Sequence, residues 1–179
     1  ITMAQDKEIN GLSLVGVGSG TTIQNINVNK SDDDCVEAWG GTVDLTNVTV
    51  SECTDDHFDI DDGYAGTVTN LTITQTTGNA AIEQSGATVA TFNGFTITQN
   101  VSAKEGGIYF KKAGIGGHFS NGTVTDNSAD GFGAIHTTVL NDTDTANTSF
   151  TNVTLNGNQS DDLFTGDDAD NVEAVFDAG

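Results

Sequence analysis

Arginine is absent from this 179-residue chain, and its five lysines stand against 26 aspartates and glutamates, a formal net charge of −21. Nucleic acids and anionic membrane surfaces are met through basic patches, so this balance argues against both as partners. It favours cations, neutral partners or a salty environment. Also missing is any apolar run approaching the ~18 residues of a membrane span. The chain has no start-like methionine and no signal peptide, and it opens and closes in mid-pattern. That reads as a mature or excised piece of something larger. One domain over residues 1–179 is expected, because an elongated repeat of this length can bury a continuous core.

What the chain does have is a repeat. Asn25-Ile26-Asn27-Val28 returns as Asn47-Val48-Thr49-Val50, Asn70-Leu71-Thr72-Ile73, Gly94-Phe95-Thr96-Ile97, Asn121-Gly122-Thr123-Val124 and Asn152-Val153-Thr154-Leu155. The closing aliphatics fall at 28, 50, 73, 97, 124 and 155, in steps of 22, 23, 24, 27 and 31 residues. Short β-rich units at such a period point to a solenoid. Ile23, Leu45, Val68, Phe92, Phe119 and Phe150 keep one phase two residues before the Asn/Gly column, as an inward stack requires. Asn and Gly tolerate left-handed backbone, so their column is expected to be a bend, with the Asn side chains bonded to local backbone. A second polar turn column follows at Ser31, Cys53, Thr76, Asn100, Asn127 and Asn158. The fold class is therefore all-β, a right-handed parallel β-helix of about six to seven coils of 22–31 residues. Six coils stacked at about 4.8 Å would make a rod roughly 29 Å long.

Cysteine is scarce. Cys53 lies in the second turn column, and Cys35 sits four residues beyond Ser31 on the preceding coil. A bridge between neighbouring coils suits that spacing and would mean an oxidising compartment; two buried thiols are the alternative. Gly16, Gly18 and Gly20 read as tight corners, since no helix-like stretch follows them. Insertions lengthen the coils over 101–148, with a glycine-rich passage at 106–117 and a polar loop at 141–147. Residues 160–179 read as an acidic partial coil or a linker.

Chemistry concentrates between Asp32 and Gly66. Asp33-Asp34-Cys35-Val36-Glu37-Ala38-Trp39 is answered one coil later by Asp55-Asp56-His57-Phe58-Asp59-Ile60-Asp61. Alternation turns Val36, Ala38, Phe58 and Ile60 inward and Glu37 and Asp59 outward, with Trp39 over Asp61. Glu83 joins the outward row, completing a ladder of acids about 4.8 Å apart. Like charges that close raise one another's pKa unless a cation lies between them. Calcium, which takes 6–8 oxygens in forgiving geometry, is the natural candidate. Its expected ligands are Asp33, Asp34, Glu37, Asp55, Asp56, Asp59, Asp61 and Glu83; a solvated acidic face is the alternative. The EF-hand and the Gly-Gly-x-Gly-x-Asp nonapeptide are both missing.

The run Gly11–Ile23, with Asp33-Asp34, Glu37-Ala38-Trp39-Gly40-Gly41-Thr42-Val43, Asp55-Asp56 and Gly63-Tyr64, resembles secreted or lipoprotein-type right-handed β-helix surface proteins of marine bacteria and Bacteroidetes. The resemblance spans about residues 10–75. It implies an extracellular or cell-surface location and supplies no reaction.

Three functions are open. In the first, the acids form a non-catalytic glycan or surface-structural module with Trp39, Tyr64, Tyr109, Lys111 and His136 as its ligand surface, aromatic faces packing on sugar and calcium holding hydroxyls. In the second, the chain is a polysaccharide lyase or hydrolase, whose base could only be Lys111, Lys112, Tyr109 or His136 in the absence of arginine. In the third, outward Thr49/Ser51, Thr72/Thr74, Thr96/Thr98 and Thr123/Thr125 form a hydroxyl lattice that binds ice. Unpaired strand edges at open solenoid ends make end-to-end self-association a further expectation.

Overall fold

The computed structural model describes residues 9–100, 105–128, 132–138, 141–157 and 163–179. Asn158, Asp161 and Asp162 lie outside this set.

Two parallel sheets wind around one core. The seven-stranded sheet A stacks β1 (Leu12–Val15), β3 (Val36–Trp39), β5 (Phe58–Asp61), β7 (Ala80–Gln84), β9 (Gly106–Phe110), β11 (Ile135–Thr137) and β13 (Phe164–Gly166) in that order. The six-stranded sheet B stacks β2 (Thr22–Ser31), β4 (Asp44–Cys53), β6 (Thr67–Gln75), β8 (Val89–Gln99), β10 (Gly116–Asp126) and β12 (Thr148–Gly157). From β2 to β12 the chain makes five full turns, slightly fewer coils than expected. Val28, Val50, Ile73, Ile97, Val124 and Leu155 pair in one register, so the repeat read from sequence is the coil itself.

Each strand of sheet B bends at the Asn/Gly column. Asn25, Asn47, Asn70, Asn121 and Asn152 have φ between 54° and 58°, and Gly94 has 74°. The Asn side chains bond between coils rather than to local backbone. Asn47 donates to Asn25 Oδ1 and Asn70 to Asn47 Oδ1, both at 3.0 Å. Gly94 interrupts this ladder, and Asn121 donates instead to Asn93 Oδ1 at 2.9 Å, with Asn152 following onto Asn121. A parallel stack sets identical amides one coil apart, which lets each donate to the last; the local bond is the weaker competitor.

The core is aliphatic towards the first coils and aromatic further on. Phe92, Phe119 and Phe150 stack with centroids 5.2 Å apart at each step. Phe95 packs edge-on to Phe119 and fills the space above Gly122, where a Cβ would lie 2.1 Å from its ring. Gly122 thus stands in an aliphatic column because its neighbour's ring has taken the volume. Cys35 and Cys53 are joined in a disulfide, Cα atoms 5.5 Å apart.

Two helices depart from the expected all-strand chain. The polar loop at 141–147 is instead a short helix, α1 (Asp142–Ala146). Asn141 Oδ1 accepts from the N–H groups of Thr143 and Asp144, and the Asp144 carboxylate accepts from Asn141 N–H, a reciprocal capping box. Residues 160–179 contain the partial coil as β13 and then add α2 (Ala169–Asp177). Val172 of α2 is buried, and Phe176 packs on Phe150 and Phe164 at 5.4 and 5.5 Å, so α2 covers this end of the core. At the opposite end Leu12, Ile23, Ile26 and Val28 are only half-buried.

Candidate cation-binding cleft

The outward row of sheet A runs in register through Ser13, Glu37, Asp59, Glu83, Tyr109, His136 and Thr165. The turn before each strand supplies two more columns. One stacks Asp33, Asp55, Asn79 and Glu105 through backbone hydrogen bonds between coils. In the other, Asp34 Oδ1 accepts the Asp56 N–H at 2.8 Å, and Asp56 Oδ1 accepts the Ala80 N–H at 2.6 Å. Asp34 and Asp56 are buried by this role, and their carboxylates tie coil to coil.

These columns converge on an open cleft of about 510 Å³ lined by Asp33, Asp34, Glu37, Asp55, Asp56, Asp59, Glu83, Trp39 and Lys111, with Ile9, Asn10 and Ser13 at its start. Three sets of carboxylates bring one oxygen each to within 4.8 Å of one another: Asp33/Asp34/Asp55 and Asp34/Glu37/Asp59, which share Asp34 and lie in the cleft, and Asp56/Glu83/Glu105, whose Glu105 stands outside the cleft lining. Two oxygens on one calcium, each about 2.3–2.6 Å away, are at most about 5 Å apart, so each set fits one ion.

Burial makes the unliganded charge expensive. Desolvation, with the neighbouring acids adding to it, pushes Asp34 and Asp59 up to about 8 and Asp56 up to about 10. Glu37 and Glu105 are raised for the same leading reason. One oxygen of Asp59 and one of Glu105 are buried with no hydrogen-bond partner. Carboxyls so placed either hold protons or share a cation.

Seven of the eight expected metal ligands line this cleft. Asp61 does not: its Oδ1 accepts the Asp62 N–H at 2.7 Å, and Lys112 Nζ lies 3.9 Å from its other oxygen. Asn10, which donates to Glu37, Asn79, which donates to Asp55, and Glu105 were not expected. The signal for Glu105 was available: aligning Gly106-Gly107-Ile108 with Ala80-Ala81-Ile82 sets it beside Asn79.

The expected ligand surface divides. Trp39 is half-buried on the cleft wall, and Lys111 Nζ bonds Glu83 Oε2 at 2.8 Å inside it. Tyr64 is not at the surface; it is fully buried, and its hydroxyl donates to the Val43 carbonyl at 2.8 Å. Tyr109 and His136 hold the outward row but are covered: Phe132 packs on the His136 ring at 4.4 Å, and Tyr109 and His136 are 4.9 Å apart.

Fold and site together define a parallel β-solenoid with a carboxylate cleft on one sheet. The chain belongs to the pectate-lyase-like beta helix domain family, whose model matches residues 1–178. No curated protein and no solved structure matches the chain.

Proposed function

We propose that this chain is an extracellular, calcium-loaded β-helix module that binds glycan in the cleft of sheet A without cleaving it. The observation that carries the reading is the convergence of two carboxylate sets in one cleft with a third at its margin, each with oxygens close enough together to meet one ion. A bound cation removes the repulsion among the acids, and its remaining coordination positions accept sugar hydroxyls or carboxylates. It also allows an acidic chain to receive an acidic polymer, which the net charge of −21 would otherwise repel. Trp39 offers an apolar wall for a sugar face. The Cys35–Cys53 disulfide supports an oxidising, hence secreted or surface, setting.

Elimination on an acidic polysaccharide is the second reading, favoured by the family's description and by Lys111 inside the cleft. Lyase chemistry needs an unprotonated base at the sugar carbon. Burial lowers the Lys111 pKa, but the hydrogen bond and charge of Glu83 outweigh it and hold the ammonium protonated. Tyr109 and His136 are covered, and Lys112 stands outside the cleft with its Nζ 3.9 Å from an Asp61 oxygen. Binding is therefore preferred over cleavage.

The test is a glycan screen, including uronate polymers, run in calcium and in chelator. Binding in calcium alone, weakened by Trp39→Ala and by Glu37→Gln/Asp59→Asn, is expected. Binding that survives chelation, or no glycan bound in either condition, contradicts the proposal. Ultraviolet absorbance from an unsaturated product would replace it with the lyase reading.

A further inference from the structure

Sheet B presents a second outward surface beyond its Asn/Gly bend. In this half of the sheet, Thr49, Thr72, Thr96 and Thr123 pair in one column, and Ser51, Thr74, Thr98 and Thr125 in the next. The columns extend to Asn27 and Asn29 on one side and Thr154 and Asn156 on the other. No charged residue occupies these twelve positions, in a chain with 26 acids and five lysines. None is aromatic, so the surface lacks the stacking platform that sugar recognition uses. The eight central side chains are exposed or half-exposed, and their hydroxyls bond no other described side chain or backbone group.

Threonine is a good strand residue anywhere, so its presence alone decides nothing. The other half of the same sheet is the internal control. Before the bend, the outward columns mix Asp44, His118, Gln24 and Asn93 with Thr and Ser, and several of these side chains bond one another or nearby backbone: His118 to Ser149, Ser120 to Asn93, Asp44 to the Thr67 N–H. Strand propensity acts equally on both halves. Two adjacent columns in which four successive coils all carry an uncharged hydroxyl are found only beyond the bend.

We propose that this surface binds ice. Parallel stacking repeats the hydroxyls about every 4.8 Å along the solenoid, and alternation repeats them about every 6.6 Å across it. The four central coils thus offer a rigid two-column grid about 14 Å long. Each threonine adds a methyl beside its hydroxyl, so the grid has apolar steps that order water and polar points that join it. The ligand with matching chemistry is itself an uncharged, periodic hydroxyl lattice. A neutral crystalline polysaccharide shares that character but would find no ring to stack on.

The test uses the full chain with calcium in excess, which holds sheet A in one state, and measures ice recrystallisation and the shape of single ice crystals. The parent protein is expected to inhibit recrystallisation and to facet the crystal. Thr74→Lys and Thr96→Lys should each abolish this at a concentration where the parent acts, with an unchanged circular dichroism melt. Thr69→Lys, on the outward surface before the bend, should leave it intact. Ice activity absent in the parent, activity surviving in both Thr74→Lys and Thr96→Lys, or retention of an ice-inactive parent by microcrystalline cellulose would each overturn the proposal.

Discussion

Asp34, Asp56 and Asp59 are carboxyls that folding takes out of water, and this gives stability a slope against pH. In the unfolded chain they titrate near 3.9. In the fold Asp34 and Asp59 titrate at about 8 and Asp56 at about 10. Between those limits the native state binds more protons than the unfolded state, so stability falls as pH rises. His57, buried and lowered to about 4 by desolvation, acts in the opposite direction, but only up to its unfolded value near 6.5. From about pH 6.5 to 8 the carboxyls therefore act alone. Each carboxyl still protonated loses about 1.4 kcal/mol per pH unit, and three lose about 4 kcal/mol. Against the roughly 5–15 kcal/mol of a whole domain, that is a large share. Urea midpoints in chelator should fall steeply across this window. Asp56→Asn, which keeps an acceptor for the Ala80 N–H, should remove one of the three increments. On the proposed reading, excess calcium should bind the ionised carboxylates and flatten the slope. A chelated protein whose midpoint stays level or rises from pH 6.5 to 8 would show that these acids ionise at no cost, as a solvated face would.

Two further substitutions probe the scaffold. Phe119→Ala removes a ring stacked between Phe92 and Phe150 and nearly free of solvent, and should cost about 3–5 kcal/mol in denaturant unfolding. Asn47→Gly should lose only the bonds to Asn25 and Asn70, whereas Asn47→Ala must also hold a Cβ at φ 57° and should cost about 1–2 kcal/mol more; thermal melts of the two separate the ladder from the bend.

The coil was legible because one side-chain phase survives every insertion: the aliphatic at 28, 50, 73, 97, 124 and 155 must face in on each turn. The Glu37–Asp59–Glu83 row was legible for the same reason, since alternation from buried Val36, Phe58 and Ile82 leaves no other side. What escaped depends on contacts that periodicity does not carry. Tyr64 follows a glycine in a turn, where composition suggests exposure; the fold instead buries it, with its hydroxyl donating to the Val43 carbonyl. Tyr109 and His136 keep the outward phase, yet Phe132 closes over His136. Glu105 follows steps that lengthen along its column, 22 residues from Asp33 to Asp55, 24 on to Asn79 and 26 on to Glu105, so counting forward from Asp55 at a fixed period misses it. Helix α2 had a signal in Val172, Val175 and Phe176 at helical spacing, hidden within an acidic stretch.

The most direct measurement is a calorimetric titration of calcium into the chelated protein at about pH 7.5, followed by melts in calcium and in chelator. Glu37→Gln/Asp59→Asn is the matched variant, because neither side chain bonds the backbone of a neighbouring coil as Asp34 and Asp56 do. The account predicts a binding heat and a stabilisation of about 2.7 kcal/mol at a hundredfold excess over Kd, both reduced in the variant. No heat, and the same melting temperature with and without calcium, would contradict it.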